Sequence, residues 1–224
     1  MELIYCGANN ESYARIAIEA GFLYGAQLPG GVPFPIWFAD QNWKKPDRAK
    51  YMAALAEHRP HMASVLDLER ADQLDEVLSW AEEAAQWVNV VMIIPKAFGI
   101  IPFLPRRIGG ADVRLGYSIP TKHGGTQVPV WEFDGWPVHL LGGSPHTQMR
   151  TKNYFNVASA DGNMMLKMAN KGMFWSAKPL RRPRPDWVSL KDYEGERWQG
   201  NNAHHEAFRR SCENIMAAWQ RVLA

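Results

Sequence analysis

Three aspartates each close a short apolar run: Asp40 in PIWFADQNW, Asp67 in MASVLDLE and Asp161 in NVASADGN. At the carboxyl end of a strand in a parallel sheet or barrel, a carboxylate faces the mouth, where such folds carry their chemistry. Two carboxylates at one cleft can run glycosidic chemistry, one as nucleophile and the other as acid or base. A carboxylate also accepts hydrogen bonds from the N–H edge of a purine, or holds a divalent metal. Aspartate at a strand end equally caps the helix that follows, so the weight rests on three at one rim rather than on any one. No histidine cluster stands beside them at metal-ligand spacing, and no metal is expected. His123, His139 and His146 fall near the same rim, as does Lys96 after VVMIIP. A lone histidine is more often packed or solvated than reactive.

The turns nearby are rich in glycine. GYSIPTKHGGT and LLGGSP place Gly116, Gly124, Gly125, Gly142 and Gly143 near strand ends. Glycine there permits close approach of backbone to a ligand, or simply a tight turn.

The elements that must carry these residues are eight apolar runs: ELIYCG, FLYGAQ, PIWFAD, MASVLD, NVVMIIPK, VRLGYS, VHLLGG and NVASAD. Continuous apolar runs of this length fit strands buried on both faces, as in parallel sheets. Helical patterns separate several of them. ESYARIAIEA follows Asn9-Asn10 and stops at Gly21; PDRAKYMAALAEH opens with Pro46 and stops before Pro60; ADQLDEVLSWAEEAAQWV carries its acids early. Those are ordinary start and stop signals. Eight strands with intervening helices predict an α/β protein, a (β/α)8 TIM-like barrel. One gap breaks the pattern. LPGGVPF, between the second and third runs, is too short for a crossover helix. The barrel is therefore expected to be irregular near the N-terminus, or to hold a hairpin there, and a doubly wound sheet stays open as an alternative.

Residues 172–200 are rich in proline, arginine and tryptophan, and read as a long structured arm. In the final stretch Phe208, Cys212, Ile215, Trp219 and Val222 recur at helical spacing, so an amphipathic helix is expected to pack outside the barrel. The 224 residues are 46% hydrophobic and 21% charged, as in a soluble globule with a sizeable core. A net charge of +2 is too mild to decide on a nucleic-acid partner, so that case rests on local clusters. One such cluster is Lys44 and Lys45, with Arg48 and Lys50, beside the Asp40 rim; another is Lys171, Lys178, Arg181, Arg182 and Arg184 in the arm. Each could neutralise phosphates or be plain solvated charge. Of ten tryptophans, Trp37, Trp43 or Trp175 could form a stacking wall for a flat ligand; packing is the alternative. Two distant cysteines and no long apolar run point to a reducing compartment and no membrane; a cytoplasmic protein is expected.

The segment HLLGGSPHTQMRTKNYFNVASADGNMMLKMANKGMFW resembles the late barrel segment of the tRNA-guanine transglycosylases. IWFADQNW, HMASVLDLE and LGYSIPTKHGG line up with earlier segments of that family in the same order. The resemblance implies a base-exchange enzyme. Asp161 would be the nucleophile attacking the sugar C1′, Asp40 the general acid/base, and Asp67 the reader of the purine edge. The backbone of Gly116, Tyr117 and Ser118 would contact the base, and the turn of Gly142 and Gly143 would make room for it. Lys44, Lys45, Lys178, Arg181, Arg182 and Arg184 would meet the nucleic acid. The family's Cys/His zinc site is absent, since the late region offers only Cys212 with His204 and His205, and the chain is short. Both departures argue against tRNA. They bring the chain nearer to short superfamily members, encoded by phages and bacterial gene clusters, that insert 7-deazaguanines such as 7-cyano-7-deazaguanine into DNA. The expected partners are then DNA and a free 7-deazaguanine base, with no cofactor; the compartment is the host cytoplasm if a phage encodes the chain. A homodimer or a helper protein is compatible with the sequence but not specified by it. The implied division is a transglycosylase-like barrel over 1–176, with the basic arm and C-terminal helix over 177–224. A glycoside or nucleoside hydrolase on the same barrel, or an inactive nucleic-acid-binding barrel, are the competing readings.

Overall fold

The structure, a computed structural model, describes residues 1–7, 10–120, 125–176, 187–194 and 200–223. Its strands are β1 (Glu2–Cys6), β2 (Leu23–Leu28), β3 (Phe38–Gln41), β4 (Met62–Leu68), β5 (Val90–Pro95), β6 (Arg107–Ile108), β7 (Ala111–Ser118), β8 (Pro137–Leu141), β9 (Asn156–Gly162), β10 (Met173–Trp175) and β11 (Trp187–Ser189). The helices are α1 (Glu11–Glu19), α2 (Arg48–His58), α3 (Leu74–Ala84), α4 (Pro145–Thr151), α5 (Met164–Ala169), α6 (Leu190–Glu194) and α7 (Gly200–Leu223).

Each of the eight apolar runs forms a strand. β1 pairs in parallel with β2 on one side and β9 on the other, and β5 pairs in parallel with β7, which closes the sheet. The product is an eight-stranded parallel (β/α)8 barrel, and the doubly wound alternative falls. The short β6 folds back antiparallel on β7. The irregularity expected near the N-terminus is there, but without a hairpin: β2 and β3 lie parallel and are joined by residues 29–37 with no helix.

Helix ends follow the local chemistry. The Asn10 side chain accepts from the Ser12 and Tyr13 amides to cap α1. Pro46 does not open the second helix; Asp47 caps it instead, accepting from the Lys50 amide. An aspartate oxygen satisfies an orphan amide, which a proline cannot do. α7 buries Phe208, Cys212, Ile215 and Trp219, while Val222 is exposed. The Phe208 ring lies 5.1 Å from Tyr5 and 4.9 Å from Tyr13, edge to face. The arm is founded on a two-stranded ribbon of β10 and β11. α7 pins that ribbon, because Ser211 Oγ accepts from the Trp175 amide and Asn214 donates to its carbonyl. Lys178, Arg181, Arg182 and Arg184 lie outside the described residues.

Strand alternation assigns the two faces of the barrel. On β5, Val90, Met92 and Ile94 fill the lumen with Ile4, Phe38 and Met62, while Val91 and Ile93 pack outward under the helices. The alternation breaks twice. On β4 the register against β5 shifts between Ser64 and Asp67, and on β9 the register against β8 shifts between Val157 and Ser159. Each shift inserts one residue, a bulge that turns every later side chain to the other face.

If α7 is part of the barrel's folding unit, Phe208→Ala should cost about 3–5 kcal/mol by urea denaturation, in one transition with the barrel. A separate, earlier transition for α7 would contradict that.

Candidate active site

At the carboxyl end of the strands lies an open cavity of about 420 Å³, lined by Asp40, Ser64, Asp67, Lys96, Gly142 and Asp161 among others. That volume suits a nucleobase-sized ligand. Asp40 reaches it by plain alternation, two residues beyond the lumen-facing Phe38. Asp67 and Asp161 reach it because of the bulges. Without the extra residue on β4, Asp67 would share the outward face of Val65; without that on β9, Asp161 would share the outward face of Val157.

The three carboxyls differ in surroundings. Burial, then the charge of Asp161, pushes the Asp40 carboxyl up to about 7, against the lowering effect of a hydrogen bond from Ser64 Oγ at 3.1 Å. Ser64 is itself fixed by the Gln41 amide, which donates to its Oγ at 2.8 Å. Burial also raises Asp67, and the Lys96 ammonium 2.6 Å away offsets part of that. Burial works against the Lys96 charge, but the Asp67 and Glu69 carboxylates outweigh it and its pKa rises. Asp161 Oδ1 accepts from the Gly142 amide at 3.0 Å and contacts His139 Nε2 at 3.3 Å. Both contacts fall on one oxygen. Gln148 Nε2 ties the two strand ends together, donating to the carbonyls of Gly142 (2.8 Å) and Asp161 (2.6 Å). Gly142 and Gly143 have φ of 65° and 79°, a region that favours glycine, and this turn aims the Gly142 amide at the carboxylate. Cys6, at the end of β1, feels both Asp161 and Asp40; burial first, then those charges, push its thiol well above the ordinary range.

Thus Asp40, Asp67, Asp161, Gly142, Gly143 and Ser118 meet at one cavity. Gly116 and Tyr117, whose backbone the resemblance sets against the base, are not among the residues that line it. The Tyr117 ring points outward, 4.6 Å from Phe155 and 5.5 Å from Phe133, because it alternates with Ser118. Gly116 is buried beneath the cavity, where a Cβ would meet Ile94 and Leu141 at 2.7 and 2.8 Å; it makes room for lumen packing rather than for a ligand. The Ser118 backbone is also occupied, its amide donating to Thr126 Oγ1 and its carbonyl accepting from the Thr126 amide. Trp43 stands exposed on the cavity rim with Lys44 Nζ 5.3 Å from its ring. Trp37 stacks on His61 at the start of β3, and Trp175 is buried, so neither joins it. Lys44 and Lys45 are exposed, whereas Arg48 is spent on Glu83 and Lys50 on Asp47. His139 is fully buried below the rim. The sequence reading did not single out Ser64, Gln148, Cys6, Arg114 or Lys167; their signal was a polar side chain within an apolar run, or a place on an adjoining helix. Among the described residues, no group of three or more His, Cys, Asp or Glu side chains could hold a metal ion, and no helix is long and apolar enough to cross a membrane.

The molecule is thus a TIM barrel with an acidic mouth. The model of the family DUF6610, a family of unknown function, matches residues 17–220, and the chain belongs to that family. No curated protein matches. Among solved structures, the YdjI aldolase from Escherichia coli K12 is similar: the TM-score is 0.54 at 12% identity, over 99% of this chain and 90% of that one. Similarity at this level carries the barrel fold and no chemistry.

Asp40 makes a prediction about stability. Its folded pKa lies above the roughly 3.9 of an unfolded aspartate, so between about pH 4 and pH 7 the folded state holds the extra proton. Stability from this group is full below about pH 4 and falls as pH rises to about 7. Asp40→Asn should therefore match the wild type near pH 4 and exceed it at pH 8 by roughly 2–4 kcal/mol. Urea midpoints across that range would show it, and a constant difference would refute it.

Proposed function

We propose that the chain is an enzyme, a base-exchange transglycosylase that replaces guanine in DNA with a 7-deazaguanine such as 7-cyano-7-deazaguanine. The observation that carries this reading is the pair Asp40 and Asp161 at one mouth. Asp40 has a pKa raised to about 7, and Asp161 has one oxygen anchored by an amide. Carboxyls pushed into different roles by their surroundings are what acid/base plus nucleophilic chemistry needs.

In the first displacement an Asp161 oxygen bonds to C1′ as the C1′–N9 bond breaks. Asp40 gives its proton to the departing guanine. In the second, N9 of the incoming base bonds to C1′, the aspartyl ester bond breaks, and the Asp40 carboxylate takes the N9 proton. Two inversions give retention, and no redox equivalent or ATP is consumed. Asp67 offers an acceptor to the purine N1–H and N2–H edge, and Lys96 beside it offers a donor to O6. Trp43 could stack on a flipped base, with Lys44, Lys45 and Lys167 near the phosphates.

The aldolase likeness carries the fold alone, and the amine route to aldol chemistry finds no support at Lys96. Aldol chemistry through an amine needs an unprotonated lysine, and Lys96 is held as an ammonium by two carboxylates.

The test incubates the protein with duplex and single-stranded DNA and labelled 7-cyano-7-deazaguanine. Wild type should retain label in DNA. Asp161→Ala should retain at least about 1,000-fold less, and Asp40→Asn about 100-fold less. Guanine release without label uptake would establish the hydrolase instead; DNA binding with neither would leave an inactive binding barrel.

A further inference from the structure

A line of polar side chains runs down the lumen beneath Asp161, and no step above uses it. His139, on β8, is fully buried. Its Nε2 faces Asp161 Oδ1 at 3.3 Å and its Nδ1 faces Ser159 Oγ at 2.6 Å. Ser159, also fully buried, accepts from Arg114 Nη1 at 2.8 Å, and the same nitrogen donates to Glu2 Oε2 at 2.7 Å. The line therefore joins β9, β8, β7 and β1 from the mouth to the opposite end of the barrel.

We propose that His139 is a positioning residue for Asp161, locked in its Nε2–H tautomer by Arg114 acting through Ser159. The argument is one of donors and acceptors. A guanidinium only donates, so the Ser159 oxygen is the acceptor in its bond with Arg114. The Ser159 hydroxyl still has one proton to place. Among the described residues the acceptor within reach is His139 Nδ1. Were Nδ1 protonated, that hydroxyl proton would face another proton inside a closed lumen, and a buried donor left unpaired costs about 1–3 kcal/mol. A doubly protonated ring meets the same conflict and adds a second cation near Arg114. Nδ1 therefore accepts, and the ring proton sits on Nε2, toward Asp161.

Both N–H donors to Asp161 then come from β8 and the turn that follows it, His139 on the strand and Gly142 in the turn, and both reach Oδ1. They anchor one carboxylate oxygen and leave Oδ2 for the bond to C1′. When the ester breaks, charge returns to a carboxylate already facing two donors, the arrangement that stabilises a developing oxyanion. Only this catalytic consequence rests on the proposed function; the tautomer does not.

The deciding experiment is a long-range ¹H–¹⁵N correlation spectrum of the imidazoles at pH 7, with His139 assigned by its loss in His139→Gln. A protonated Nε2 and bare Nδ1 in the wild type, with that pattern lost or mixed in Ser159→Ala, are expected. A protonated Nδ1 in the wild type, or no change in Ser159→Ala, would overturn the proposal. In the base-exchange assay, His139→Phe should lower kcat about 100-fold with KM for the free base nearly unchanged, and His139→Gln, whose amide can donate, should recover about tenfold. Equal losses in Phe and Gln variants that both fold would overturn the positioning role. If the wild type exchanges no base, the proposed function fails, while the spectrum still decides the tautomer.

Discussion

Arg114 places a permanent positive charge inside a barrel otherwise packed with Ile4, Phe38, Met62 and Met92. A guanidinium with most of its surface removed from water must find acceptors, or the fold loses several kcal/mol. Glu2 supplies the charge and Ser159 the second lone pair. The floor of the barrel thus determines the hydrogen bonding of Ser159, Ser159 determines that of His139, and His139 meets the carboxylate at the mouth. The hydrogen bonding of the carboxylate at one end of the barrel is linked to charge neutralisation at the other.

The mouth is under the opposite electrostatic stress. Asp40, Asp67 and Asp161 share one cavity, with Lys96 as the cation engaged there. Lys96 is committed to Asp67 and Glu69, and burial first, with the nearby Asp161 second, pushes the Asp40 carboxyl up. One site therefore holds carboxyls suited to different roles without any difference in residue type.

Much of this was legible in the sequence, because it rests on local rules. Apolar runs in sequence order identified all eight barrel strands, and the three aspartates at their ends do meet. The reading failed where the outcome depends on pairing between strands. The resemblance sets Tyr117 against the base, but it stands one position from Ser118 on β7, and one position along a strand is the opposite face. Simple alternation from Val65 and Val157 would have turned Asp67 and Asp161 away from the mouth; two bulges return them, and a bulge is visible only in the register of the partner strand. Pro46 misled for a simpler reason: Asp47, one residue later, is the better cap. Arg114, His139 and Ser159 were each visible as a polar residue within an apolar run. Their connection was not, since it joins strands far apart in the chain.

The packing of α7 also constrains the order of events in folding. β1 pairs with β9, and its outward Tyr5 is covered by Phe208 from α7. The first strand is synthesised early, yet both its second sheet neighbour and its cover come from the far end of the chain. Such long-range contacts make closure slow, and leave an apolar strand edge waiting. During synthesis β1 and β2 can pair, but the β1–β9 seam stays open until β9 is made, and Tyr5 stays uncovered until α7 follows. The interval in which that edge is exposed is when this chain is most vulnerable to aggregation, and when a chaperone would matter most.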